Sequence, residues 1–227
     1  MKKLAIFDLD GTLLNTITDL GESANYALNL NGYPTHSIAS YPFFVGNGVR
    51  RLIERVLPED CRSEEIKNKI LSNFMEYYNH HNTDYTKPYD EITTLLNNLQ
   101  NNNVSIAVAS NKYQLATEAL ITHFFPKINF VAIIGQNDGV PVKPDPSIVF
   151  NILAKANIAK AETIYIGDSG VDMETARRAC VDSIGVTWGF RTEKELKENH
   201  ADYIVNSPAE IFKIISASNP LPLLYKL

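Results

Sequence analysis

The sequence predicts an α/β protein, a parallel sheet with helices on both faces, interrupted by an inserted helical segment. Three observations predict it. Short apolar runs alternate with amphipathic stretches along most of the chain, the pattern of strand–helix–strand units. Residues 16–87 break that alternation, carrying apolar residues at helical spacing and no convincing strand. Several apolar runs end in polar or charged residues, at the sheet edge where such folds collect ligands.

Strands are expected at 3–9, 104–109, 130–134, 163–166, 183–187 and 203–205, with helices at 89–99, 114–124, 146–157, 172–180 and 208–216. The first run, LAIF at 4–7, is short and wholly apolar, as a strand buried on both faces must be, and Gly11 stops it. In the interrupting segment, Leu20, Ala24, Ala27 and Leu28, then Val49, Leu52, Ile53 and Val56, then Ile66, Ile70, Phe74 and Tyr77 recur at helical spacing. That is too long for an ordinary crossover, so the expected division is a core of 1–15 and 88–227 around a helical insertion of 16–87, with Pro88 marking the return. The Asn-rich patch at 97–103 reads as a helix end and loop. The apolar tail LPLLYKL at 221–227 packs either on the core or on another subunit, and the sequence leaves that choice and the oligomeric state open.

The chain has 227 residues, 44% hydrophobic and 21% charged, with a formal charge of -5. That suits one large soluble domain, or a domain plus insertion. Mild acidity argues against nucleic acid or an anionic membrane as the main partner, since both select basic surfaces. The two cysteines, Cys61 and Cys180, are far apart and form no CxxC pair, which argues against a disulfide scaffold and fits a reducing compartment. The N-terminal MKKLAIF begins like a signal peptide, but Asp8 and Asp10 interrupt it, and no apolar run approaches membrane-spanning length. A cytoplasmic protein is expected.

The strand ends carry the chemistry. FDLDGT at 7–12 places Asp8 and Asp10 where the first strand runs out. Two carboxylates this close repel and call for a cation nearby, although Asp-Gly is also an ordinary turn dipeptide. The second strand ends in Ser110-Asn111, with a helix expected to follow at once. A hydroxyl and N–H groups at a helix N-terminus suit a phosphate oxygen, and equally an N-cap. Lys143 is set between prolines in GVPVKPDP, either a placed charge or an exposed loop lysine. The fourth strand ends in Asp168, with Asp172 one helical turn on, so both can face one site. The local alternative is that they cap the helix and favour its dipole. Together these groups make a site for a magnesium ion and a phosphoryl group, because hard oxygen ligands suit Mg²⁺.

With Asp8-Leu9-Asp10-Gly11-Thr12, Ser110-Asn111, Lys143-Pro144 and Gly167-Asp168-Ser169-Gly170-Val171-Asp172 in this order, the chain resembles the haloacid dehalogenase superfamily over nearly its whole length. The resemblance implies a Rossmann-like core with a helical cap of the first type (C1), inserted after the first motif. It implies phosphate chemistry, because Asp10 is present. It further implies that Asp8 is the nucleophile that forms an aspartyl-phosphate, and Asp10 the general acid and base. Mg²⁺ is then held by Asp8, Asp168 and the backbone carbonyl of Asp10, with Asp172 behind them. Ser110, Asn111 and Lys143 bind the phosphoryl oxygens, and Thr12 fixes Asp10 and the turn. Cap closure is expected to exclude bulk water. Many relatives carry an aspartate where this chain has Asn15, near the cap hinge.

In the insertion, FVGNGVRRLI forms a tight turn at Gly46, Asn47 and Gly48 before a helix near Val49 that bears Arg50 and Arg51. Amides and a cation there suit a second anionic group, while a helix start with two solvated arginines reads equally well. The loop is similar to the cap loop of phosphoglycolate phosphatases, which implies a small phosphorylated acid, 2-phosphoglycolate, as substrate. A phosphosugar mutase, a pyrophosphatase or nucleotidase of the same superfamily, and a receiver-like signalling module remain open as alternatives. His80 and His81 are expected at the exposed end of an insertion helix, with no step that needs them.

Overall fold

β1 (Leu4–Phe7) lies in the middle of the sheet, and its four residues are buried. Its side chains alternate between the two faces, as the period of a strand requires. Ala5 and Phe7 join one apolar cluster, Leu4 and Ile6 another. The computed structural model describes residues 1–217, so the tail at 221–227 lies outside the described residues.

β1 is followed by a two-residue strand, β2 (Leu14–Asn15), and then by the inserted helices α1 (Ile17–Leu30), α2 (Val49–Val56) and α3 (Glu64–His81). The chain returns through β3 (Lys87–Pro88), which pairs antiparallel with β2 so that Asn15 faces Lys87. This two-rung ribbon is not expected from the sequence, because two residues are too few to show a period. Asp19, buried in α1, ties the ends of the insertion together by accepting from the Tyr85 and Thr86 amides at 3.0 and 2.8 Å. The insertion has an apolar cluster of its own around Leu28, Tyr41, Ile53, Ile70 and Phe74.

The rest is α4 (Ile92–Asn101), β4 (Ser105–Tyr113), α5 (Gln114–Phe124), β5 (Phe130–Gln136), α6 (Ser147–Ala156), β6 (Thr163–Gly167), α7 (Gly170–Ala179), β7 (Asp182–Val186), α8 (Glu193–Glu198), β8 (Tyr203–Val205) and α9 (Pro208–Ser216). The six long strands form one parallel sheet in the order β5-β4-β1-β6-β7-β8. β1 and β4 are neighbours although the insertion separates them in sequence. That places the ends of β1, β4 and β6 side by side.

Two expectations are corrected here. β4 does not stop at Ala109 but runs through Ser110, Asn111 and Lys112 to Tyr113, so Ser110 and Asn111 lie on extended chain and not at a helix N-terminus. β5 continues far enough to pair Gln136 with Tyr113 after a register irregularity, and such irregularities re-aim side chains at sheet ends. Gly135 permits the approach, since a Cβ there would lie 2.6 Å from the Lys112 carbonyl oxygen. The second correction is α8, a six-residue helix of sequence EKELKE with no apolar stripe to announce it.

Candidate active site

After β1 the Leu9 carbonyl accepts from the Thr12, Leu13 and Leu14 amides at 3.3, 3.0 and 3.0 Å, which folds the DLDGT stretch into a tight turn. Gly11 makes that turn possible. Its φ is +88°, and a Cβ would stand 2.4 Å from Asp168 Oδ2. The turn leaves Asp8 buried and Asp10 part-exposed, both on the same cavity.

Lys143 is 3% exposed and is the hub of the site. Its Nζ lies 2.9 Å from Asp8 Oδ1 and donates to Asp172 Oδ1 at 2.7 Å, the Ala109 carbonyl at 3.0 Å and the Tyr165 hydroxyl at 3.1 Å. The loop lysine of the sequence reading is thus a placed charge. Asp8 Oδ1, although within ion-pair distance of Lys143, is buried without an aligned hydrogen bond, so its acceptor capacity is unspent. Asp172 is fully buried at the start of α7, where it and Ser169 form a reciprocal capping box. Besides capping α7, it pairs with Lys143.

Asp168 Oδ2 accepts from the Phe190 amide at 2.7 Å and its Oδ1 from the Thr12 hydroxyl at 3.3 Å. Thr12 therefore bonds to Asp168 and not to Asp10. Asp10 is held by Lys112, whose Nζ donates to both carboxylate oxygens at 3.0 and 3.2 Å. Asn111 links three segments: its amide nitrogen donates to the Gly46 and Lys143 carbonyls at 3.2 Å each, and its oxygen accepts from the Lys143 amide at 2.8 Å.

Burial pushes the Asp8 carboxyl up to about 7; Lys143 opposes this, while Asp172 and Asp10 add to it. Burial, then Asp172 and Asp8, hold Asp168 well above the usual carboxylate range. Burial disfavours the Lys143 charge, yet Asp172 and Asp8 outweigh it and raise that amine well above an ordinary lysine. The site is short of positive charge. Asp8, Asp168 and Asp172 can each offer an oxygen within 4.8 Å of the others, and the one lysine among them is shared. Three hard oxygen donors, an unspent Asp8 oxygen and this excess of negative charge fit a small divalent cation.

The cavity in front of these groups has a volume of about 60 Å³. The inserted unit closes it with Leu20, Leu52, Phe74, Tyr78 and the loop at Gly46 and Gly48. Of the loop residues expected to read substrate, Gly46 and Gly48 line the cavity, with φ of +105° and +83°. Asn47 and Arg50 do not: Asn47 accepts from Arg55 at 2.8 Å, and exposed Arg50 donates to Asn68 of α3 at 3.1 Å. α2 starts at Val49, which turns Arg50 away from the site and toward α3.

Sequence reasoning missed two cations on the cavity. Lys112 directly follows Ser110-Asn111, but ending the strand at 109 leaves it out. Arg191, in the loop after β7, has no local signal, because only the folded chain brings it to the Gly46 loop.

The family model for haloacid dehalogenase-like hydrolases matches residues 5–186. Among curated proteins, the chain is similar to the phosphoglycolate phosphatase of Neisseria meningitidis, at 31% identity over 91% of both chains. It is also similar to the phosphoglycolate phosphatase of Vibrio parahaemolyticus, at 28% identity over 95% of this chain and 97% of that one. Among solved structures, a Lactobacillus delbrueckii subsp. bulgaricus protein superimposes with a TM-score of 0.89 at 31% identity, covering 95% of this chain and 99% of that one. A haloacid dehalogenase-like family hydrolase of Streptococcus pneumoniae, 21% identical with a TM-score of 0.83 and covering 93% of this chain and 97% of that one, shares the fold.

Proposed function

The chain belongs to the haloacid dehalogenase-like hydrolase family and is a phosphatase, and on that premise we propose that it is a Mg²⁺-dependent phosphomonoesterase whose substrate is 2-phosphoglycolate. In this reading residues 1–15 and 88–227 are the catalytic core and 16–87 the cap. The observation that carries it is the Asp8–Lys143–Asp172 cluster with Asp168 beside it and Asp10 two residues on, all but Asp172 lining one small cavity.

The Asp8 carboxylate attacks phosphorus, forming an O–P bond as the bond to the leaving oxygen breaks, and Asp10 gives that oxygen its proton. In the second half, Asp10 takes a proton from the water that attacks the aspartyl-phosphate, and Asp8 is released with inorganic phosphate. Lys112 keeps the Asp10 carboxylate at the cavity wall between these steps. Ser110, Asn111 and Lys143 bind the phosphoryl oxygens and offset the charge that Asp8 meets on approach. Asp8, Asp168 and the Asp10 carbonyl would hold Mg²⁺, with Asp172 orienting its surroundings, and the ion supplies the positive charge that the carboxylates leave unbalanced.

The substrate reading is supported by the curated relatives and by the cavity. The cavity supports it by placing the Gly46 and Gly48 backbone and the Arg191 guanidinium on the same walls as Asp8 and Asp10, where a small ester can meet both. The test is phosphate release from 2-phosphoglycolate, sugar phosphates, nucleotides and pyrophosphate, with Mg²⁺ and with chelator, by the natural protein and by Asp8→Asn. Metal-dependent release that peaks on 2-phosphoglycolate and falls at least about 10³-fold in the variant is expected. Normal turnover by Asp8→Asn would sink the mechanism, and a peak on another compound would replace the substrate.

A further inference from the structure

Among the described residues lining the cavity there are three cations, Lys112, Lys143 and Arg191. Lys112 sits 3.0 Å from Asp10, and Lys143 lies 2.9 and 2.7 Å from Asp8 and Asp172. Both are neutralised by carboxylates that the reaction uses. Arg191 differs in its partners: its Nε forms an ion pair at 3.6 Å with Glu195, a carboxylate that does not line the cavity, while Nη1 and Nη2 donate to the backbone carbonyls of Pro42 and Val45. Carbonyls orient a guanidinium without cancelling its charge, and two of its five N–H donors remain after these contacts and the approach to Glu195. Its side chain is 16% exposed, so the charge is poorly screened by water.

The segment that carries Arg191 is fixed from both sides. The Thr187 amide donates to the Val205 carbonyl at 3.1 Å, the Trp188 indole to the Thr12 carbonyl at 3.1 Å, and the Phe190 amide to Asp168. Gly189 has no room for a side chain, since a Cβ would stand 2.2 Å from Asp168 Cβ. Arg191 is therefore held at a set distance from the carboxylate cluster and against the Gly46 loop, where a Cβ on Gly46 would come within 3.2 Å of Nη2. A substrate whose phosphoryl group lies at Asp8 and whose far end reaches that loop meets Arg191 there.

We propose that Arg191 determines specificity by pairing with the second anionic group of the substrate, a carboxylate, in place of the exposed Arg50. The inference rests on the substrate reading above. An arginine fork matches a carboxylate with two parallel hydrogen bonds, which a lysine cannot do.

The experiment measures kcat/KM for 2-phosphoglycolate and for ethyl phosphate, which lacks the carboxylate, in the natural protein, Arg191→Met and Arg191→Lys. The ratio between the two substrates is expected to fall about 10- to 100-fold in Arg191→Met, through KM for 2-phosphoglycolate, and by less in Arg191→Lys. Loss of the Pro42 and Val45 contacts alone would slow both substrates together and leave the ratio unchanged, and that result overturns the assignment. A natural protein without preference for 2-phosphoglycolate over ethyl phosphate overturns the substrate reading itself. A preference that survives both variants overturns only the role of Arg191.

Discussion

The two regions that meet at the cavity are built from opposite materials. The core lines it with Asp8, Asp10, Lys112, Lys143, Asp168 and Arg191, whereas the inserted unit lines it with apolar and aromatic side chains and glycine backbone and contributes no charged side chain. Polar machinery under an apolar roof is an arrangement with consequences. Ionic interactions strengthen as water is excluded, so the roof raises the effect of charges it does not supply. Changes at the core's carboxylates and lysines should therefore act on the chemical step, changes at Arg191 on substrate binding, and changes in the roof on access and stability.

The sharpest test of that division is Asp10→Asn. The variant keeps the shape of the side chain but can neither give nor take the proton, and kcat is expected to fall by about 10²- to 10⁴-fold in steady-state phosphate release. Phe74→Leu, on the apolar side, should cost far less in kcat. Equal losses from the two would end the comparison.

The next effect is on stability. The Asp8 carboxyl titrates near 3.8 in an ordinary environment and at about 7 in the folded, metal-free protein. A raised carboxyl means that the folded state holds a proton the unfolded chain has lost. Its favourable contribution is full below 3.8 and disappears as pH rises through about 7. Metal-free protein should lose up to about 4 kcal/mol from this group across that range, at 1.36 kcal/mol per pH unit. Chemical denaturation at several pH values reads it, and saturating Mg²⁺ should flatten the loss. A metal-free protein whose stability rises steadily between pH 4 and 7 would show that Asp8 is not strained by burial.

These two regions were also unequally legible in the sequence. In the core, Asp8, Asp10, Asp168 and Asp172 lie within a few residues of strand ends, and parallel strands align their ends. Short-range pattern is then enough to bring them together. Lys143 needed only its rigid proline frame to stand out. Lys112 was hidden by one boundary, since β4 gains four residues from its pairing with β5 that no local propensity announces. The inserted side depends on contacts between distant segments: the core's Arg191 reaches residues 42 and 45, and Asp19 reaches 85 and 86. Nothing in the one-dimensional pattern of either partner marks such a pair. The helices of the insertion were readable from their period, but not which face of α2 would look inward.

That last point yields the smallest and most discriminating prediction. Arg50 stands in the sequence where a cation beside a glycine turn suggests an anion site, yet it is exposed and bonded to Asn68, in a cleft with Glu54, Glu64 and Lys67. Surface substitutions away from packed or paired groups change stability by no more than about 0.5 kcal/mol. Arg50→Ala should stay within that bound in denaturant titration, and kcat/KM for 2-phosphoglycolate should change by less than about 2-fold, an energy of the same size. A rise of about tenfold in KM would put a charge from the inserted unit at the substrate after all. The roof would then read the ligand as well as cover it, and the separation of chemistry from enclosure would have to be redrawn around α2.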